Sequence, residues 1–131
     1  MTSPEFLALG DENFVSLTTF HRSGEGVSTP VWIAREGDTL IVTTPSKSGK
    51  VKRLRNSGRV ELSPSSRMGK VPEDAPVLAG EAVIVDDRAA VARMGRTFLT
   101  KYKLEYRLFL WIERRGKNGQ AQRVKLTISV R

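Results

Sequence analysis

The residues of this chain best equipped for chemistry run from Thr43 to Asn56, TTPSKSGKVKRLRN. Hydroxyls, a glycine and five cations fall there between the end of an alternating apolar run and two residues at helical spacing, Val51 and Leu54. That spacing predicts a loop entering a short helix. The first backbone N–H groups of a helix have no partner within it and carry the positive end of its dipole, so a phosphate placed there meets unsatisfied donors. Gly49 lets a ligand approach the backbone, and Ser48 and Lys50 can donate hydrogen bonds to it. Arg53, one turn beyond Lys50 on the same face, can grip two oxygens at once. The same residues would also make a basic helix that only keeps the protein in solution. By itself the segment Thr43 to Arg55 therefore reads either as an anion site or as a solvated face.

A second feature precedes it. VSTPVWIA, Val27 to Ala34, sets Pro30 beside Val31 and Trp32. Proline lacks an N–H and belongs at a strand edge or bulge, where a flat heterocycle can lie against the backbone around Val31 and Trp32 and exchange hydrogen bonds with it. Trp32 also reads as a core or subunit-contact aromatic. Other reactive types are sparse. There is no cysteine, which excludes disulfides, thiolate metal sites and thiol nucleophiles together. The single histidine, His21, has no second ligand of its kind for a usual zinc or iron site, so no metal is expected. Tyr102 or Tyr106 could hand a proton to a reduced substrate, although a tyrosine in an apolar stripe more often packs with its hydroxyl at the surface.

Strands must position these groups. Ser3 as N-cap, Pro4 at the first helical position, apolar Phe6, Leu7 and Leu9, and Gly10 as a stop predict a short opening helix. FVSLTTF from Phe14, the turn around Ser23–Gly26, VSTPVWIARE, the turn at Gly37–Asp38 and DTLIVTT then predict a three-stranded meander. RVELS returns to strand, SSRMGKVPEDAP is a surface loop, and VLAGEAVIVDD is a strand with a bulge expected at Gly80. Asp86 and Asp87 are expected to cap a helix from Asp87 to Tyr102, with Ala90, Val91, Met94 and Phe98 as its apolar stripe. Leu104–Arg115 fits helix better than strand. After the turn GKNGQ, Val124, Leu126, Ile128 and Val130 alternate with Arg123, Lys125, Thr127 and Ser129 in a last strand, one face dry and one wet. Strands that follow one another with few helices between them imply a closed or nearly closed antiparallel barrel, a single domain over residues 1–131.

Lys plus Arg number 22 against 14 for Asp plus Glu, a net charge of +8. An anionic partner is implied: nucleic acid, a membrane surface or a small anionic ligand. No apolar run is long enough to span a bilayer and no apolar leader segment is present, so no membrane partner is expected and the cytoplasm is the expected location.

Together, VSTPVWIAREGDTLIVTT and SGKVKRLRNSGRVELSPS resemble the flavin and deazaflavin oxidoreductase superfamily, whose best-known type is pyridoxine phosphate oxidase. The nearest likeness is to small actinobacterial split-barrel enzymes that depend on the deazaflavin coenzyme F420. The resemblance spans Phe14 to Ser65, and more loosely Lys101, Tyr102 and the terminal strand. It implies a mainly β chain, a six-stranded antiparallel split β-barrel with two to four peripheral helices, forming a homodimer with cofactor at the subunit interface. The family's phosphate-binding Ser and Lys fall on Ser48 and Lys50, flanking Gly49, and its strand-end Thr falls on Thr44. Lys52 and Arg53 stand where relatives supply further cations, and Thr29, Pro30, Val31 and Trp32 match the stretch beside the ring. Two departures matter: relatives that oxidise pyridoxine phosphate carry an Arg where this chain has Thr29, and their C-terminal Arg motif has no counterpart here. The resemblance thus points away from pyridoxine phosphate as substrate and from FMN, toward F420, whose phosphodiester and acidic tail suit the +8 charge.

The resulting expectation is an F420-dependent oxidoreductase that moves a hydride to or from a small organic substrate, with FMN as alternative cofactor and non-catalytic carriage as alternative role. From another class, a nucleic-acid-binding barrel would set Lys50, Lys52, Arg53, Arg55 and Arg59 on phosphates and stack bases on Phe20, Trp32 or Trp111. Its aromatics mostly occupy apolar positions, which counts against it.

Overall fold

The computed structural model describes residues 3–103 and 122–131. Its elements are α1 (Pro4–Ala8), β1 (Phe14–Phe20), β2 (Gly26–Glu36), β3 (Thr39–Pro45), α2 (Gly49–Asn56), β4 (Arg59–Pro64), β5 (Leu78–Val85), α3 (Arg88–Tyr102) and β6 (Arg123–Val130). The six strands close an antiparallel barrel in the order β1-β2-β3-β6-β5-β4, so the last strand inserts between β3 and β5. The meander forms through turns in which Gly24 (φ 93°) and Gly37 (φ 60°) adopt the left-handed conformation that glycine takes without steric penalty.

Alternation fills the barrel. Val15 and Leu17, Val31 and Ile33, Leu40 and Val42, Val60 and Leu62, and Leu126 and Ile128 all point into one core. Phe6, Leu7 and Leu9 enter that core from the N-terminal segment, and Val51 and Leu54 enter it from α2. A second core lies outside the barrel wall, where α3 lays Met94, Phe98 and Tyr102 over Trp32, Ala34 and Ile41. Its helix starts one residue later than expected: Asp87 is the N-cap, its Oδ2 accepting from the Ala90 N–H at 2.9 Å, and no acidic residue occupies the first turn.

Three local expectations are corrected. Gly10 does not stop α1. The chain continues into a 3-10 turn, Leu9–Asp11, and a Cβ at Gly10 would sit 2.8 Å from the Arg35 Cβ, so glycine there serves close approach to β2. Gly80 makes no bulge, because it stays in register with Val60 on one side and Val130 on the other; a Cβ would lie 2.9 Å from the Ile128 Cγ2. The outer face of β6 is not uniformly wet, since Lys125 is buried and bonds Glu36 Oε1 at 3.0 Å. The expected helix Leu104–Arg115 and most of the GKNGQ turn lie outside the described residues.

The split in the barrel matters most for function. Strand β2 pairs with β1 from Gly26 to Trp32, but with β3 only from Ile33 to Glu36. Beyond Val42, strand β3 continues along β6 alone, through Thr43, Thr44 and Pro45. The stretch of β2 containing Pro30 therefore has a ladder partner on one side only, as a proline at an edge requires. Among the described residues, no helix is long and apolar enough to cross a membrane.

Candidate cofactor site

Helix α2 starts at the end of β3, beside the split. Ser48 is its N-cap, with Oγ accepting from the Val51 N–H at 3.4 Å, and the Thr44 hydroxyl lies 3.2 Å from the same Oγ. Thr44 itself is buried, so the pair fixes how the loop leaves the strand. With Val51 and Leu54 anchored in the core, the remaining face of α2 carries the cations.

One of those cations is held in place by a side chain of β1. Arg53 donates from Nε to the buried Thr19 hydroxyl at 2.6 Å, and its guanidinium folds back over Gly49, where a Cβ would lie 2.9 Å from Nη1. Lys50 is half-buried; burial first, then the charges of Arg53 and Arg123, hold its ammonium below the usual lysine range. Arg123, at the start of β6, donates from Nε to the Thr43 hydroxyl at 2.7 Å and from Nη2 to the Thr43 carbonyl at 3.1 Å. The charges of Arg53 and Arg123 thus both reach Lys50 in the first turn of α2.

On the neighbouring face an open cavity of about 530 Å³ is lined by His21, Arg22 and Ser23 from the β1–β2 turn and by Gly49, Lys52, Arg53 and Asn56 from α2. Asn56 Oδ1 accepts from Arg22 at 3.0 and 3.3 Å, linking the hairpin tip to the helix. Lys52 is exposed on this side.

The β2 residues behave differently from one another. Thr29 Oγ1 is shut off from solvent with no hydrogen-bond partner among the described residues. Pro30 is exposed at its edge, and the loop between β4 and β5 approaches it, since a Cβ at Gly69 would lie 3.3 Å from the Pro30 Cδ. Val31 points into the barrel core, which leaves only its backbone for a ligand. The Trp32 indole packs in the outer core with ring centroids 5.1 Å from Phe14 and 4.4 Å from Tyr102, so the side chain is not offered as a stacking platform.

Tyr102 is equally committed. Its hydroxyl is not at the surface: Oη accepts from the Ile33 N–H at 3.1 Å and lies 2.6 Å from the Ile33 carbonyl and 2.8 Å from that of Asn13, with one proton to give. Next to it, Lys101 Nζ donates to the carbonyls of Gly10, Glu12 and Ile33 at 2.6, 2.5 and 2.6 Å. These residues hold β2 where it parts from β3. Tyr106 and Trp111 lie outside the described residues. Phe20 and Trp32, the base-stacking candidates of the nucleic-acid alternative, are both buried.

A family model described as pyridoxamine 5'-phosphate oxidase matches residues 4–130. The chain belongs to the pyridoxamine 5'-phosphate oxidase family. Barrels of this family bind flavin-type cofactors, and the family contains oxidoreductases. No curated protein matches the chain. Among solved structures, a conserved hypothetical protein from Mycobacterium tuberculosis is 22% identical over all of this chain and 81% of its own, with a TM-score of 0.70. An F420 reductase is 15% identical over 99% of this chain and 96% of its own, with a TM-score of 0.63. General stress protein 26 of Bacillus anthracis is 17% identical over 96% and 86%, with a TM-score of 0.61.

The residues present fit a flavin-type cofactor of this family on their own chemistry. An N-capped helix start with converging cations suits its phosphate, and an orphaned hydroxyl at Thr29 on the open strand suits a polar ring edge. Arg53, Lys50, Ser48, Thr44 and Gly49 are drawn together at the start of α2, Thr29 and Pro30 stand on the open edge, and Trp32 is turned away. Thr19 and Arg123 escaped the sequence reading because their contacts depend on strand register.

Proposed function

We propose that this protein is an F420-dependent oxidoreductase acting on a small organic substrate, as a homodimer that completes each cofactor site at the subunit interface. What supports the reading is the cationic cradle at the start of α2 with the basic cavity beside it. A ligand with a phosphodiester and an acidic tail has anionic groups for both; FMN ends at its phosphate. Thr29 in place of the arginine of pyridoxine phosphate oxidases argues in the same direction.

When bound, the deazaflavin supplies the hydride chemistry. The protein's own residues bind and orient. Ser48 and the first N–H groups of α2 donate to the phosphate, and Lys50 and Arg53 neutralise it. Backbone groups of Thr29 to Trp32 face the ring along the open edge, fixed by the Lys101 and Tyr102 contacts to Ile33. The barrel core behind Val31 keeps water from that side of the strand.

Titration of the purified protein with F420 and with FMN, followed by fluorescence, tests the reading directly. Binding of F420 at least tenfold tighter than FMN is expected. Tight FMN binding without F420 binding overturns the cofactor, and sedimentation as a monomer across micromolar concentrations overturns the homodimer.

A further inference from the structure

We propose that the cavity between the β1–β2 turn and α2 binds a small, elongated polycarboxylate, with Arg22, Lys52 and Arg53 as its cationic stations. Each wall is built from local sequence. Gly49, Lys52, Arg53 and Asn56 recur at i, i+3, i+4 and i+7 and so share one face of α2, while Val51 and Leu54 enter the core. The facing wall is a closed turn, in which the His21 N–H donates to the Glu25 carbonyl and the Gly24 N–H to the His21 carbonyl, both at 2.9 Å.

Both arginines are anchored with donors to spare. Arg22 spends Nε and Nη2 on Asn56 Oδ1, and Arg53 spends Nε on the fully buried Thr19. Among the described residues, nothing takes up the Nη1 donors of Arg22 or either Nη group of Arg53, and the Lys52 ammonium has no partner. No carboxylate is among the described residues that line the cavity, so its field favours an anion. Spacing selects the kind of anion. The Arg53 guanidinium folds back over Gly49 at the start of α2, and Arg22 meets Asn56 at its end. The length of α2 sets those stations about 10 Å apart. A compact ion reaches one of them, whereas a chain bearing separated carboxylates reaches both, each guanidinium edge taking two coplanar oxygens. The same chemistry has two sources, a free polycarboxylate or the acidic tail of the cofactor proposed above, and only the second rests on that reading.

Calorimetric titration of the full chain with a triglutamate peptide, and with triglutamine as neutral control, tests the site. Triglutamate is expected to bind at about 1 mM or tighter, and triglutamine not to bind. Arg22→Gln is expected to weaken triglutamate about tenfold, and Asn56→Ala, which keeps the charge but frees it, about threefold. The same charge change in Arg93→Gln, on the exposed side of α3, should leave binding unchanged. Absent triglutamate binding, equal binding of triglutamine, or equal losses in Arg22→Gln and Arg93→Gln each overturn the proposal. Pyrophosphate that binds more tightly than triglutamate and is lost in Arg22→Gln overturns the choice of carboxylates. If Arg22→Gln folds poorly, Lys52→Gln decides, since that side chain has no partner to lose: about threefold weakening is expected, and unchanged affinity overturns the proposal.

F420 and a derivative lacking its acidic tail separate the sources. A loss in Arg22→Gln for F420 but not for the tailless derivative assigns the cavity to the tail. A loss for triglutamate with F420 unchanged assigns it to a free ligand. If no form of F420 binds while triglutamate does and Arg22→Gln loses it, the cofactor reading falls and the carboxylate site stands.

Discussion

A buried hydroxyl with nothing to bond costs about 1–3 kcal/mol, and among the described residues Thr29 carries one. Thr29→Val removes the hydroxyl and preserves the shape. The ligand-free protein should therefore become more stable, by about 1 kcal/mol in chemical denaturation, while cofactor affinity falls about fivefold or more. A variant that is less stable and binds cofactor as well as wild type would place the hydroxyl in packing alone. At this scale the sequence was informative where chemistry is local. Ser48 and Lys50 at a helix start could be read from neighbouring letters, because the loop and the spacing of Val51 and Leu54 lie within a few residues of them. Arg123 cannot, since its place beside Thr43 depends on which strand β6 joins. Trp32 could be read beside Pro30 either as a ring contact or as a core aromatic, and the structure packs its side chain in the outer core under α3 while its neighbour Val31 faces the barrel interior.

At the scale of elements, α2 and α3 perform separate tasks and their substitutions should separate too. Gly49→Ala adds a Cβ that meets only the tip of Arg53, a flexible group able to move, and alanine favours helix over glycine. Stability should stay within about 0.5 kcal/mol of wild type or rise, while anion affinity drops as Arg53 leaves its place over Gly49. A large loss of stability in thermal melts would mean that the helix start tolerates no Cβ.

Helix α3 ends in a clasp, and the clasp titrates. Burial lowers the Lys101 pKa to about 8 from 10.5, partly offset by Asp11 and Glu12. The unfolded chain therefore holds this proton more tightly than the folded protein between about pH 8 and 10.5, so the Lys101 contribution to stability rises with pH across that window and is lost as pH falls through about 8. Measured against Lys101→Met, the wild-type stability difference should grow between pH 8 and 10. A flat difference would show that the ammonium, bonded to three carbonyls, keeps its ordinary affinity for the proton. The helix itself was legible from its apolar stripe. The clasp was not, because its acceptors are backbone carbonyls, which leave no mark in the sequence.

For the molecule as a whole, period-two alternation revealed the strands and an antiparallel barrel and the family resemblance a split one, while strand order and the second core required the pairing itself. The second core has an energetic consequence. Phe98 is fully buried, yet it belongs to the outer cluster with Trp32, Ile41, Met94 and Tyr102, separated by the barrel wall from the interior. Phe98→Ala should cost about 3–5 kcal/mol as a core cavity. Because Phe98 stacks on Tyr102 at 5.8 Å, the loss should also loosen the hydroxyl from Ile33 and with it the open edge of β2. Cofactor affinity is then expected to fall together with stability, although Phe98 lies in the outer core. Amide hydrogen exchange at Ile33 reports the link: faster exchange in Phe98→Ala than in a variant equally destabilised inside the barrel, such as Leu62→Ala, is expected. Equal exchange in the two would mean that α3 covers the barrel without controlling its opening.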